Sequence, residues 1–350
     1  MYLKEFSKPP AKIVSNGKAA FGTYNDIPPK LDVKGMRAPY AGLPLPVFLS
    51  KLRIKSRLDY IFSTDKVIGL VEFHDFKIFG LAEIIFWNMS TGRKYVYHTF
   101  TATRKRIIPK NTSQGICASY KKSRYIKVSW GRNHRHMAMK FNVKGDNIRP
   151  SARGYIFSPM NSRMHTDLLF VCPSPSQSRC SATWFTTMKM QGNFFVDDEK
   201  LDSSEGLAAM RINRTYFKMH TRFTLAWGIG KIQSKNVIFQ LKNSSLDAAD
   251  PDKYNENLIT VDGDTTALPS VLMTHPFGIK KDWIIQDTES MIDLTFTPVS
   301  DNHRILNVIA IRTDYNVIYG YYNGVMLTKD GEKLVLKNFP GIINKSTLRI

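Results

Sequence analysis

A chain of 350 residues with 43% hydrophobic and 12% aromatic side chains has ample material for packed cores, which argues against disorder. Its 50 Lys and Arg against 29 Asp and Glu give a net charge of +21, nearly all of it early: residues 1–175 hold 30 basic and 10 acidic side chains, residues 176–350 hold 20 and 19. Cys117, Cys172 and Cys180 form no C-x-x-C pair, which argues against a disulfide framework or zinc ribbon, and the longest uncharged stretches are short or broken by proline, so none could cross a bilayer as a helix.

Residues 1–40 carry Pro9-Pro10, Pro28-Pro29 and Pro39 with no helical or strand period between them, which predicts an extended N-terminal arm. The first residues lack the apolar core of a signal peptide, so the Asn-x-Ser/Thr sequons are expected to be unused and the thiols to sit in a reducing, intracellular compartment. From about Leu52 the pattern turns to short β-type runs bounded by turn residues: LDYIFST, KVIGLVEFHDF, LAEIIFWNMS, KYVYHTFTAT, YIKVSW, MAMKFNV, GYIFSPM and DLLFVC. In the fourth run Tyr95, Tyr97 and Thr99 share one face and Val96, His98 and Phe100 the other, as a barrel wall buried on one side requires.

TWFTTMKMQGNFFV reads as strand again, and the charged, turn-rich Asp197–Gly206 stretch suggests a domain break, with a first unit over 41–200 and a second over 201–350. The second unit repeats the style through KNVIFQLKN, LITVDG, DWIIQD, MIDLTFTPV and RILNVIAIRTD, and closes on a hairpin whose turn is Lys329-Asp330-Gly331. Many short strands in two blocks fit all-β barrels or sandwiches better than an α/β fold, which would need long helices between strands.

Charge supplies the strongest candidate site. Between Glu83 and Asp146 there is no acid, while basic residues alternate with aromatics in RKYVYHTF, TRKR and YKKSRYIKVSWGRNHRH. Arg93, Lys94, Arg104, Lys105 and Arg106, with Lys121, Lys122, Arg124, Lys127, Arg132 and Arg135, are the expected contacts to an anionic partner, which could be an acidic protein, RNA or anionic lipid. The opposing expectation is a solvated lysine-rich face. His134 and His136 would share a strand side but no third ligand is signalled, so no metal and no cofactor are expected. Asp59, Glu72, Asp75 and Glu83 could pair for acid and base work in a barrel mouth, and more often such acids neutralise neighbours, here Arg57, Lys66 and Lys77. No P-loop, Gly-x-Ser-x-Gly or G-x-G-x-x-G is present.

DLTFTP, then Tyr319-Gly320-Tyr321-Tyr322-Asn323-Gly324, then KDGEKLVLKNFPG ending at Gly341 resemble the end of the bacterial family called domain of unknown function 2804, and the resemblance extends back through LAWGIG (Leu225 to Gly230) and TWFTTMKMQGNFFV to LDYIFSTDKVIGLVEFHDF. The family's relatives include hydroxyneurosporene synthase-like and tocopherol cyclase-like proteins, so the resemblance implies two successive lipocalin-like (calycin-type) antiparallel barrels. Family members carry an Asp-Trp-Gly-Arg-Gly type segment before the second barrel. Here that place reads AAMRINRTYF, with Arg214 as the one remnant, which implies a repurposed copy without the original chemistry.

The combined expectation is a non-enzymatic scaffold or accessory subunit of a large assembly, mitochondrial rather than cytoplasmic, docking through the basic first barrel with the arm adding interface. The alternative is a binding protein or a cyclase- or hydratase-like enzyme holding a hydrophobic ligand, such as an isoprenoid or fatty acid, within a barrel.

Overall fold

The computed structural model describes residues 2–40, 46–77, 79–101, 107–308 and 311–349. The arm carries three short strands, β1 (Val14–Ser15), β2 (Lys18–Ala19) and β3 (Gly22–Tyr24), and is followed by a one-and-a-half-turn helix, α1 (Val47–Leu52). The first sheet then takes β4 (Ile54–Ser63), β5 (Val67–Asp75), β6 (Gly80–Asn88), β7 (Lys94–Thr101), β8 (Gln114–Lys121), β9 (Arg124–Gly131), β10 (His136–Val143), β11 (Ala152–Pro159), β12 (Thr166–Pro173), β13 (Cys180–Val196) and β14 (Glu199–Tyr216). The second takes β15 (His220–Ile232), β16 (Lys235–Ser244), β17 (Leu258–Val261), β18 (Asp264–Ala267), β19 (Val271–Thr274), β20 (Trp283–Asp287), β21 (Ile292–Val308), β22 (Ile311–Leu327) and β23 (Lys333–Arg349).

The first sheet runs β7-β6-β5-β4-β14-β13-β11-β10-β9-β8, with β12 on the first half of β13 and β3 on β12. Its end strands face one another across a seam crossed by Arg124 Nη1, which donates to His98 O at 2.8 Å, so the circuit is a nearly closed barrel. The second runs β18-β17-β16-β15-β23-β22-β21-β20-β19 and curls back until Asn243 Nδ2 on β16 donates to Val271 O on β19 at 3.0 Å. The expected all-β pair of antiparallel barrels is the observed fold. The chain passes between sheets at 217–219, beyond the expected break at 201, because β14 pairs along its length with β13 and from Leu207 to Tyr216 with β4.

Both interiors are filled. Tyr60, Phe62, Phe86, Phe141, Trp184 and Phe194 occupy the first barrel, and Phe239, Trp283, Phe296, Tyr322 and Phe339 the second. Tyr95, Tyr97 and Thr99 point inward and are buried, with Val96, His98 and Phe100 outward, as the alternation in β7 predicts. The Lys329-Asp330-Gly331 turn joins β22 to β23, with Gly331 at φ +78°.

The arm is less free than its prolines suggest. Asn16-Gly17 turns β1 back on β2, β3 adds to β12, and Ile13, Ile27, Leu31 and Val33 are buried against the first barrel. Its start reaches the second: Tyr2 OH donates to Asp252 O at 2.5 Å, and Lys4 Nζ to Asn255 O at 3.1 Å. Much of the apolar surface that an arm could offer a partner is thus covered within the chain.

Candidate functional site between the two barrels

The outward face of β4, β5, β6 and β14 is covered by β15, β16, β22 and β23. Part of this contact is dry: Ile68, Leu70, Trp87, Phe170 and Phe185 pack on Trp227, Ile238, Val317 and Tyr319. The rest is polar, because strand alternation places charged residues on the same face. Across the first sheet Arg211, Asp59, Glu72, Glu83 and His98 stand in one register row, and Asn213, Arg57 and His74 in the next.

Three buried carboxylates directly opposite one another would repel. Cations from both barrels resolve this. Arg57 bridges Asp59 and Glu72, Arg211 Nη1 reaches Asp59 at 3.2 Å, and Arg304 from β21 pairs with Glu83. Arg211 also binds Glu256 at 2.8 Å, and Glu256 takes Lys242 at 2.9 Å. Asn344 Nδ2 donates to Glu72 Oε1 at 3.0 Å and to Tyr315 OH at 2.9 Å. The result is an ion network that runs from Glu72 through Arg57, Asp59, Arg211 and Glu256 to Lys242, with the Glu83–Arg304 pair beside it.

The network tunes its members. Burial pushes Glu72 and Glu256 up, but Arg57 and His74 for the first, and Arg211 and Lys242 for the second, outweigh it and hold both at about 2. Burial raises Asp59 against the pull of Arg57, and raises Glu83 to about 7 against the pull of Arg304. Burial lowers His74, so its imidazole is neutral near pH 7, and with Lys77 nearby burial brings Lys55 down to about 8.

At one side of this contact lies a cleft with a cavity volume of about 70 Å³, inside about 800 Å³ of space that widens to solvent. Its polar floor is Arg57, His74, Arg211, Lys242 and Tyr315, with Lys55 near the floor donating from Nζ to Phe76 O at 2.5 Å. Its walls are Phe76, Phe217, Phe223, Leu225, Leu246 and Leu348. The Arg57 guanidinium lies 4.9 Å from the Phe223 ring centroid, and His74 stacks on Phe76 at 5.6 Å. Three buried polar atoms of the lining have no hydrogen-bond partner among the described residues: Arg57 Nη1, His74 Nε2 and Thr313 Oγ1. Asp59 and Glu72 do not line it, since Arg57 and His74 stand in front of them.

The acids singled out from sequence are therefore together, but between the barrels rather than in a barrel mouth. Asp59 and Glu72 neutralise Arg57 and Asp75 neutralises Lys77, as expected, whereas the partner of Glu83 is Arg304. Sequence reasoning missed Arg211, His74, Lys242, Glu256 and Tyr315. The available signal was charge at every second position, in Lys55, Arg57 and Asp59 and again in Glu72 and His74, which also describes a solvated strand face. Arg214, the expected remnant, lies away from the cleft with Nη2 donating to Ile108 O at 2.7 Å, while Arg211 three residues earlier faces it.

The basic candidates do not share one surface. Lys121 and Lys122 are exposed at the β8–β9 tip, Lys127 stands mid-strand on the outer wall, and Arg135 is exposed in the β9–β10 turn at φ 49°. Arg132 is turned to Asp26 at 2.8 Å and Asp167 at 3.1 Å, and Arg124 to Asp146 at 3.5 Å. Arg93 lies over Tyr95, and Lys94 donates to Asp301 O of the second barrel. Arg104, Lys105 and Arg106 lie outside the described residues. His134 and His136 have ring centroids 6.1 Å apart, and all three cysteines are buried.

Among known proteins, the model of the family described as domain of unknown function 2804 matches residues 16–349. No curated protein matches the chain. Two solved structures are similar. Kievitone hydratase from Nectria haematococca is 9% identical over 84% of this chain and 88% of its own, with a TM-score of 0.41. Pseudomonas aeruginosa OccK2 (OpdF) in complex with glucuronate is 7% identical over 85% and 96%, with a TM-score of 0.12.

Proposed function

We propose that this chain, which belongs to the domain of unknown function 2804 family, binds a small amphipathic molecule in the cleft between its barrels. The polar head, a carboxylate or other anionic oxygen group, takes the Arg57 Nη1 donor, and the apolar part lies on Phe76, Phe217, Phe223 and Leu246. The observation that carries this reading is the Arg57 donor: Nη1 is buried on a residue that lines the cleft and has no acceptor among the described residues. A buried donor left unmet costs about 1–3 kcal/mol, and an incoming anion recovers that with the gain of a charge-assisted bond.

The filled interiors favour a ligand between the barrels over one within them. Binding is favoured over acid–base turnover because Glu72 and Glu256 are held ionised by their cations and Asp75, the carboxylate that does line the cleft, is paired with Lys77.

The test is titration of the full chain with a medium-chain fatty acid such as decanoate, followed by calorimetry and native mass spectrometry. Expected are one bound molecule per chain and a loss of about tenfold or more in affinity when Leu246→Trp fills the cleft without touching the ion network. Affinity should also fall as pH rises through about 8, where Lys55 loses its charge. Binding that Leu246→Trp leaves unchanged, or no binding of decanoate or its alcohol and phosphate analogues, would overturn the reading.

A further inference from the structure

On the side of the first barrel opposite the cleft, strands β8 to β11 and the second half of β13 form a wall whose outward residues stand in three register rows. The middle row is Ala118, Lys127, Lys140, Tyr155 and Asn193. One neighbouring row holds Ile116, Ser129, Ala138, Phe157 and Gln191, and the other Tyr120, Tyr125, Asn142 and Arg153. At ordinary strand spacing a five-strand row is about 19 Å wide.

Lys127 and Lys140 are directly opposite each other at the centre of this wall, an arrangement that costs stability in an antiparallel pair. Nothing near them compensates. The three rows contain no acid, and among the described residues no Asp or Glu forms an ion pair with Lys127, Lys140, Lys121, Lys122 or Lys144. Around the lysines the wall exposes apolar groups: Ile116 at 56%, Tyr120 at 55%, Tyr155 at 44% and Phe157 at 37%. The β8–β9 tip, tied to the β10–β11 loop by Lys144 N donating to Ser123 O at 2.7 Å, extends the surface with Lys121, Lys122 and Lys144.

We propose that this wall docks the protein on an anionic lipid bilayer. Lipid phosphates and carboxylates relieve the Lys127–Lys140 repulsion while Ile116 and Phe157 enter the interfacial layer and the tyrosine rings lie at head-group level, where amphipathic aromatics concentrate. Single-stranded nucleic acid, the other polymer that uses lysines beside aromatics, needs free ring faces for its bases to stack on. Here Phe157 already has a face on His136, with centroids 6.0 Å apart and planes at 18°, and Tyr120 packs on Tyr125 at 4.9 Å. The proposal stands independently of the cleft ligand.

Full-length protein is co-sedimented with vesicles of phosphatidylcholine alone and with about one third phosphatidylserine, at low and high salt. Expected are binding to the anionic vesicles only, weakening with salt, and a loss of about tenfold or more in the double variant Lys127→Gln/Lys140→Gln. Ile116→Ser should weaken binding without changing its salt dependence. The double variant removes a like-charge pair from an exposed face, so it should unfold no more easily than the parent in urea, which separates lost docking from lost folding. Its decanoate titration should match the parent's, which separates failure here from failure of the cleft reading. Equal binding to both vesicle types, no binding to either, or binding unaffected by the double substitution overturns the proposal. Tighter, lysine-dependent binding to single-stranded RNA than to the vesicles overturns it in favour of a nucleic acid.

Discussion

Arg211 shows how much of the barrel contact rests on single charges. Its guanidinium serves Asp59 on one side and Glu256 on the other, and all three side chains are almost wholly buried. Removing it leaves two carboxylates out of water with Arg57 and Lys242 as remaining partners, so Arg211→Met should cost about 3–5 kcal/mol in urea unfolding. Adding Asp59→Leu should restore part of that loss, since Arg57 still has Glu72. A single substitution costing under about 1 kcal/mol would mean that the network is incidental to stability. The part of the network that joins the two barrels was not legible from the sequence. Alternating charge in a strand has two physical solutions, water or a second charged surface, and only the docking of the other barrel decides between them. Arg57, Asp59 and Glu72 were visible as a group because they are near in the chain, whereas Glu256 and Tyr315 join from nearly 200 residues away or more.

At the scale of the elements, the pieces of sequence that carried the family resemblance meet in one place. LAWGIG supplies Gly228, the YGYYNG stretch Gly320 and the end of KNFPG Gly341, and these three glycines stand in a single register row across β15, β23 and β22. Each leaves room for a ring or a backbone oxygen. A Cβ on Gly228 would lie 2.1 Å from the Phe239 ring, one on Gly320 2.2 Å from Thr297 O, and one on Gly341 2.2 Å from both Trp227 O and the Tyr322 ring. The row lets aromatic side chains lie flat on the backbone where the long strands coil, which is a folding role rather than a chemical one. Gly341→Ala should therefore destabilise the second barrel by about 2–4 kcal/mol, because the oxygen it meets belongs to the neighbouring strand and cannot swing away. A thermal unfolding midpoint within a degree of the parent would show that the strands have slack that the packing denies. Strand periods, turn signals and the Lys329-Asp330-Gly331 hairpin were readable because they are local. The boundary was misplaced because the charged stretch 197–206 contains a tight turn between β13 and β14, two strands of one sheet, and a turn inside a barrel uses the same residues as a linker between barrels.

For the molecule as a whole, the same network predicts how the joint between the barrels answers to pH. Glu72 and Glu256 are held at about 2, below the roughly 4.3 of an unfolded glutamate, so the stability they contribute is present above about pH 4 and is lost as pH falls through about 2. Glu83 has the opposite sign: its carboxyl is raised to about 7, so its contribution is full below about pH 4 and is lost as pH rises through 7. Burial also lowers His74 and His98 on the same contact, so their contribution is lost on acidification and opposes the gain from Glu83 between pH 7 and 5, while below about pH 4 Glu72 and Glu256 make the joint fall steeply. Since all three carboxylates lie where one barrel covers the other, acid should part the barrels before it empties either filled interior. Small-angle scattering at pH 7, 5 and 3 should show a radius of gyration that is constant down to pH 5 and larger at pH 3, while the far-ultraviolet signature of strand persists. Glu83→Gln should make the urea resistance at pH 5, relative to that at pH 7, smaller than the parent's and leave the acid opening untouched, whereas Glu256→Gln should move the opening upward in pH. Strand signal and radius changing together at every pH would mean that the two barrels and their ion network melt as one body.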